Sequence, residues 1–169
     1  MSRTGASRRG HDPARRRWFR TLAGGGEVRR PPWSGDDFLD ACTGCGACLA
    51  ACPEDVLHRG GGDYPELRLD TRGCTLCGAC VEACEAPVFD RARPAFPWRA
   101  ELGPDCLALA GVHCQSCQEA CEARAIRFTP TLGGPPRPHL ESDACTGCGA
   151  CLPVCPSGAI TLSEEVPDA

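Results

Sequence analysis

The sequence is short of the large apolar side chains from which most proteins build a core. Of its 169 residues only nine are aromatic (three Trp, one Tyr and five Phe), against 20 glycines and 16 prolines. A chain with so little bulk cannot easily offset its conformational entropy by burial alone. The composition therefore disfavours a coiled coil or an enzyme with a large core, and another source of stability is needed.

Long apolar runs and lysine are missing as well. No run of 18 apolar residues occurs, so we expect no membrane insertion. All 18 basic residues are arginines, and nine of them fall in residues 1–30, which leaves an acidic body and disfavours nucleic-acid binding. No apolar segment follows Ser-Arg-Arg-Gly at 7–10, so no twin-arginine export signal is predicted. The arm is expected to be a solvated tail or a docking arm for an acidic partner surface.

Cysteine is what the sequence has in excess, with 16 residues, a level typical of cysteine frameworks. They fall into four groups of four with none left over. Groups 1, 2 and 4 share the spacing C-x2-C-x2-C-x3-C, whereas the first gap of group 3 is stretched to seven residues. Group 1 is Cys42, Cys45, Cys48 and Cys52; group 2 is Cys74, Cys77, Cys80 and Cys84; group 3 is Cys106, Cys114, Cys117 and Cys121; group 4 is Cys145, Cys148, Cys151 and Cys155.

This spacing is typical of bacterial ferredoxins, in which three cysteines bind one 4Fe–4S cluster and the fourth reaches the partner cluster. Soft thiolates suit iron–sulfur chemistry. Structural zinc uses pairs separated by longer loops, and disulfide frameworks accompany a secretory signal, so both are disfavoured. Groups 1, 2 and 4 are predicted to bind clusters, and so is group 3, with the alternative that Cys106 is a bystander. His113, beside Cys114, is expected to be solvated or to lie near a ligand rather than to be one.

Internal repetition predicts the organisation of the chain. Residues 40–49 and 143–152 are identical, and the four groups begin about 30 residues apart. We expect a small, loop-rich α+β protein with an arm (1–35), a first ferredoxin-like module (36–94), a linker (95–104) and a second module (105–169). If neighbouring groups pair, groups 1 and 2 exchange their fourth cysteines, as do groups 3 and 4; a crossed pairing of the groups stays open.

Regular structure should be sparse. Helical turns are expected at Ala47–Ala51 and Ala79–Ala83, and strands at Glu66–Leu69, Ala125–Phe128 and Ala159–Leu162. Residues 131–138 are expected to form an extended loop, and Trp33 to fold the arm onto the first module or to contact a partner.

Four segments carry a resemblance to a known family: Ser7–Gly10, Arg30–Asp36 (Arg-Pro-Pro-Trp-Ser-Gly-Asp), the stretched group 3, and Phe128–Gly133 (Phe-Thr-Pro-Thr-Leu-Gly). Over residues 7–162 the chain resembles the NapF family, ferredoxin-type accessory proteins of the periplasmic nitrate reductase system. The resemblance implies a cytoplasmic protein that binds the precursor of the reductase catalytic subunit. It also implies a role in the maturation of that precursor, by installing or reducing its cluster prior to export.

No nucleophile–base pair or phosphate-binding loop can be read, so we do not expect an enzyme. The residues support one-electron transfer through 4Fe–4S clusters. Two further functions stay open beside the maturation factor. One is a polyferredoxin that carries electrons to a reductase, and the other is a redox sensor whose cluster state governs binding.

Overall fold

The computed structural model describes residues 28–164, and the predictions for residues 1–27 lie outside this range. Within it, regular structure is sparse. Four α-helices have four residues each: α1 Phe38–Ala41, α2 Ala47–Ala50, α3 Ala79–Glu82 and α4 Ser116–Glu119. Two 3-10 turns span Gly61–Asp63 and Ser142–Ala144. None of the helices in this part of the chain is long and apolar enough to cross a membrane.

Six strands form three antiparallel pairs. β1 (Leu57–Arg59) pairs with β2 (Pro65–Leu67), β3 (Trp98–Leu102) with β6 (Ile160–Glu164), and β4 (Ile126–Thr131) with β5 (Gly134–Leu140). The strands expected near residues 66, 125 and 159 are present as β2, β4 and β6. β1, β3 and β5 were not expected from the sequence.

The helical turns expected in groups 1 and 2 are present as α2 and α3, and α4 occupies the same place in group 3. Group 4 makes only hydrogen-bonded turns, for example from the Leu152 N–H to the Gly149 carbonyl at 3.0 Å. In group 1 the Ala50 N–H donates to the Gly46 carbonyl at 3.2 Å. The corresponding residue of group 4 is Pro153, which has no N–H to donate. A single proline thus prevents the fourth helix.

Residues 131–138 do not form the extended loop that the sequence predicts. They contain the turn of the β-hairpin made by β4 and β5. The three prolines of β5 are tolerated because the sheet has two strands, so each strand has a free edge. Gly133, with φ of 73°, makes the turn, and the Thr131 hydroxyl donates to the Pro135 carbonyl at 2.8 Å. A register shift between Thr129 and Thr131 marks a bulge beside it.

The core combines aliphatic, aromatic and cysteine side chains. Phe96 and Trp98 stack with ring centroids 4.8 Å apart, and Leu57, Leu67 and Ile160 are buried in the same cluster. One cysteine of each group is buried there too, and it is always the third: Cys48, Cys80, Cys117 and Cys151. The positions predicted to bind metal are therefore part of the core.

Trp33 joins the segment before α1 to the first half of the chain. Its side chain is buried. Its backbone N–H donates to the Ala95 carbonyl at 2.8 Å, and its backbone carbonyl accepts from the Asp90 N–H at 3.0 Å. The guanidinium of Arg91 lies 5.1 Å from the Trp33 ring centroid. The prediction that Trp33 is a packing anchor is confirmed.

Candidate metal centres

The sixteen cysteines gather into four sets of four thiols, and each set lines its own cavity. Every set takes three cysteines from one group and the fourth from the neighbouring group. Site 1 has Cys42, Cys45, Cys48 and Cys84; site 2 has Cys52, Cys74, Cys77 and Cys80; site 3 has Cys106, Cys114, Cys117 and Cys155; site 4 has Cys121, Cys145, Cys148 and Cys151. This is the arrangement expected if neighbouring groups pair.

The exchange of cysteines between sites 1 and 2 depends on two short helices. Cys48 lies in α2 and lines site 1, whereas Cys52, four residues later, lines site 2. α3 does the reverse, with Cys80 at site 2 and Cys84 at site 1. Both helices follow a glycine with φ of 81° or 83°, a conformation that strains any residue with a Cβ.

The stretched group 3 still assembles a complete set. Residues 106–112 form a compact turn, in which the Ala110 N–H donates to the Cys106 carbonyl at 3.0 Å and the Val112 N–H donates to the Leu107 carbonyl at 2.9 Å. The turn takes up the extra residues, and Cys106 lines site 3 with Cys114. His113 is exposed and does not line the cavity.

The cavities differ in one respect. The cavities at sites 2, 4 and 3 contain about 340, 340 and 320 Å³ of space free of protein atoms, open solvent included, whereas that at site 1 contains about 1050 Å³. Phe38, Val88 and Phe89 form the apolar wall of this wider cavity, and Cys45 at its edge is exposed. Three sites thus suit a guest of one size, and site 1 leaves its guest more open to the surroundings.

The thiols of a set surround a space rather than a point. Within residues 28–164 no three His, Cys, Asp or Glu side chains converge closely enough to hold a single metal ion. A tetrahedral zinc ion binds its sulfurs at about 2.3 Å and draws them together. A 4Fe–4S cluster places its four irons at separate corners, so it takes thiolates that stand farther apart. Four thiols around one cavity are the donor set that such a cluster takes.

Burial controls the ionisation of the inner thiols. It raises the pKa of Cys80 and Cys151 to about 12 and that of Cys74 and Cys117 to about 11, and the neighbouring thiols add to the effect. The pKa of Cys48 is raised for the same reasons. Buried thiolates in such numbers need positive charge beside them, and a metal that coordinates a thiol deprotonates it outright. A cationic metal core that binds these inner thiols therefore has to displace their protons.

Hydrogen bonds act in the opposite direction on the outer thiols. The Ala47 N–H and the Thr43 hydroxyl lower the pKa of Cys45. Burial would raise the pKa of Cys155, but hydrogen bonds from the Ser157 hydroxyl and the Ala159 N–H lower it, the latter with N···S of 3.3 Å. Two of these donors are hydroxyls that leave a signal in the sequence: Thr43 stands two residues before Cys45, and Ser157 stands two residues after Cys155.

A family model described as a 4Fe-4S dicluster domain matches the chain twice, over residues 41–88 and 112–159. The first match contains groups 1 and 2, and the second contains group 4 and all of group 3 except Cys106. The division into matches agrees with the pairing of neighbouring groups that the cavities show.

Curated relatives of this chain have the name "Ferredoxin-type protein NapF". That of Escherichia coli K12 is 44% identical over 135 residues, which cover 78% of this chain and 82% of the relative. That of Haemophilus influenzae is 45% identical over 139 residues, which cover 80% and 78%. A component of the ion-translocating oxidoreductase complex of Methanosarcina acetivorans is 39% identical over 127 residues, which cover 72% of this chain and 46% of that protein.

Proposed function

The chain belongs to the NapF family of ferredoxin-type iron–sulfur proteins, and from this premise we propose that it holds four 4Fe–4S clusters and assists the maturation of a nitrate reductase. The observation that carries the proposal is the set of four cysteine quartets, each drawn from two neighbouring groups around one cavity. Site 3 belongs among them because its stretched group supplies three of its thiols and group 4 supplies the fourth.

Each 4Fe–4S cluster, when bound, supplies a one-electron redox couple. The chain would hold it with four thiolates, and apolar residues line each site. Backbone N–H groups point at sulfur in places, as the Ala100 N–H does towards the Cys145 sulfur at 3.5 Å. Such bonds stabilise the charge on sulfur and tune the reduction potential. The protein acts as an electron-transfer or accessory protein rather than as an enzyme.

The proposed partner is the precursor of the catalytic subunit of the periplasmic nitrate reductase, bound in the cytoplasm before export. Membership of the NapF family supports this choice. The protein would help to install or reduce the cluster of that precursor. Site 1 suits the contact, because its cavity is wider than those of the other three sites and Cys45 at its edge is exposed.

Two measurements test the proposal. Iron and acid-labile sulfide analysis of anaerobically purified protein should give about 16 iron atoms per chain. The tagged protein should also capture the signal-bearing form of the catalytic subunit from anaerobic cells and should not capture the processed form. Iron near 16 without capture of the precursor would reject the maturation role and keep the clusters.

A polyferredoxin that carries electrons to a reductase is the second candidate. The similarity to a component of an ion-translocating oxidoreductase favours it, since that complex is named for redox chemistry. In this case the reduced protein should deliver electrons to the mature reductase during steady-state turnover. Capture of the precursor without such turnover would leave only the maturation role.

A further inference from the structure

The two halves of the chain meet backbone to backbone between site 2 and site 4. The N–H of Cys74, a thiol of site 2, donates to the carbonyl of Cys148, a thiol of site 4, with N···O of 2.8 Å. We call the contact of residues 73–74 with residues 148–150 the module junction. Both segments of the junction belong to cysteine-bearing loops. The junction therefore brings two metal sites together without a helix or strand between them.

Glycine makes this approach possible. A Cβ on Gly73 would lie 2.5 Å from the Cα of Ala150 and 2.6 Å from its backbone nitrogen. A Cβ on Gly149 would lie 2.5 Å from the Cδ1 of Leu69. Non-bonded carbon atoms do not approach this closely in proteins. Any side chain at Gly73 would therefore push the two loops apart.

The junction places the four sites in order. Sites 1 and 2 are neighbours because they exchange Cys52 and Cys84, and sites 3 and 4 because they exchange Cys121 and Cys155. The contact of Cys74 with Cys148 adds the link between sites 2 and 4. The resulting order is site 1, site 2, site 4, site 3, with sites 1 and 3 at the two ends.

We propose that the module junction connects the two modules into one electron path that runs through sites 1, 2, 4 and 3. An external one-electron reductant gives an electron to one end. Each transfer then oxidises one site and reduces its neighbour, and no bond is made or broken. Electron tunnelling weakens steeply with distance, so the close approach at Gly73 is what allows transfer between modules. This inference rests on the proposed function, because it requires clusters in the sites.

The test isolates pairs of sites and measures the magnetic interaction of their reduced clusters. The first variant removes sites 1 and 3 by Cys42→Ala, Cys45→Ala, Cys106→Ala and Cys114→Ala. Its matched control removes sites 2 and 4 by Cys74→Ala, Cys77→Ala, Cys145→Ala and Cys148→Ala. Each protein should hold about eight irons. After reduction with dithionite, the first should give an electron paramagnetic resonance spectrum broadened by spin–spin interaction, and the control the sum of two isolated spectra.

A second pair of variants tests the junction with all cysteines in place. Gly73→Val should keep about 16 irons and should slow the transfer of electrons between the modules. Gly61→Val is the matched control, because a Cβ on Gly61 meets nothing within 4 Å; it should behave as the wild type. This pair decides the question if the variants with four substitutions fail to assemble.

The outcomes separate the inference from the function on which it rests. Wild-type protein without iron would reject both. Iron at full occupancy, with isolated spectra in the first variant or with unchanged transfer in Gly73→Val, would reject the electron path alone.

Discussion

The third cysteine of each group has two tasks, since it lines a metal site and fills the core. Cys151 is buried at site 4, whereas Cys45 is exposed at the edge of site 1. Burial sets the pKa of Cys151 at about 12, while hydrogen bonds lower that of Cys45. Residues of one type, predicted for one chemistry, thus differ in how much the fold depends on them.

Replacement of these two cysteines should separate the tasks. Cys151→Ala and Cys45→Ala should each lower the iron content of one site. Cys151→Ala should destabilise the protein further, by about 1 kcal/mol, because it also removes a buried side chain. Iron analysis and anaerobic thermal unfolding check this expectation. Equal melting temperatures for the two variants would contradict it.

Cys106 is the residue on which the count of clusters depends. Cys106→Ala should lower the iron content from about 16 to about 12 atoms per chain, because site 3 loses a thiol that no other cysteine replaces. His113→Ala changes an exposed neighbour in the same stretched segment and should leave iron unchanged. Iron that stays at about 16 in Cys106→Ala would remove this residue from the ligands.

The sequence predicts the cysteines and their groups because ligand spacing is local. It does not predict the Ala100 N–H that meets the Cys145 sulfur, because the two residues lie 45 positions apart. Contacts of that kind arise only when the strands have packed. Group 3 shows the same limit: spacing alone leaves Cys106 open, and the turn at 106–112 brings it to site 3.

At the scale of elements, short segments depend on what they pack against. β3 contacts the loop of group 4, where the Trp98 indole N–H donates to the Gly147 carbonyl at 2.9 Å. The sequence assigns residues 95–104 to a linker because of its prolines. The strand forms because β6, some 60 residues away, supplies its partner. Pairing at such a distance leaves no local signal.

Two glycines test how closely β3 approaches group 4. Gly147 and Gly158 both have positive φ, 73° and 62°, so alanine at either should cost about 1–2 kcal/mol in backbone strain. A Cβ on Gly147 would also lie 2.6 Å from the Trp98 carbonyl oxygen, whereas one on Gly158 meets nothing within 4 Å.

Gly147→Ala should therefore unfold at a lower temperature than Gly158→Ala and should lose iron from site 4. Anaerobic thermal unfolding with iron analysis checks both effects. Equal melting temperatures for the two variants would show that the close approach of Trp98 to residue 147 does not restrict the side chain at that position.

At the scale of the whole molecule, protein atoms alone supply little stability. Helices of four residues are far below the length at which a helix is stable in water, and isolated pairs of strands are marginal. Four of the buried core residues are cysteines that line the sites. The metal should then be part of the folded state rather than an addition to it.

Removal of iron should accordingly unfold the protein. Anaerobic treatment with a strong iron chelator should abolish the near-ultraviolet circular dichroism of the buried Trp33 and Trp98 together with the cluster absorbance, because metal binding and folding are coupled. Protein incubated without the chelator is the control. An iron-free protein that keeps its aromatic signal and its compactness would contradict the expectation.

The pairing of β3 with β6 has a consequence for synthesis on the ribosome. The contacts of Trp33 with Asp90 and Ala95, like the thiols of sites 1 and 2, are complete once residue 95 has left the exit tunnel. β3 emerges next, but its partner β6 is residues 160–164 and is translated about 60 residues later. A nascent chain can thus receive iron and sulfide in its first half while the second is still being translated, and its last strand closes the molecule.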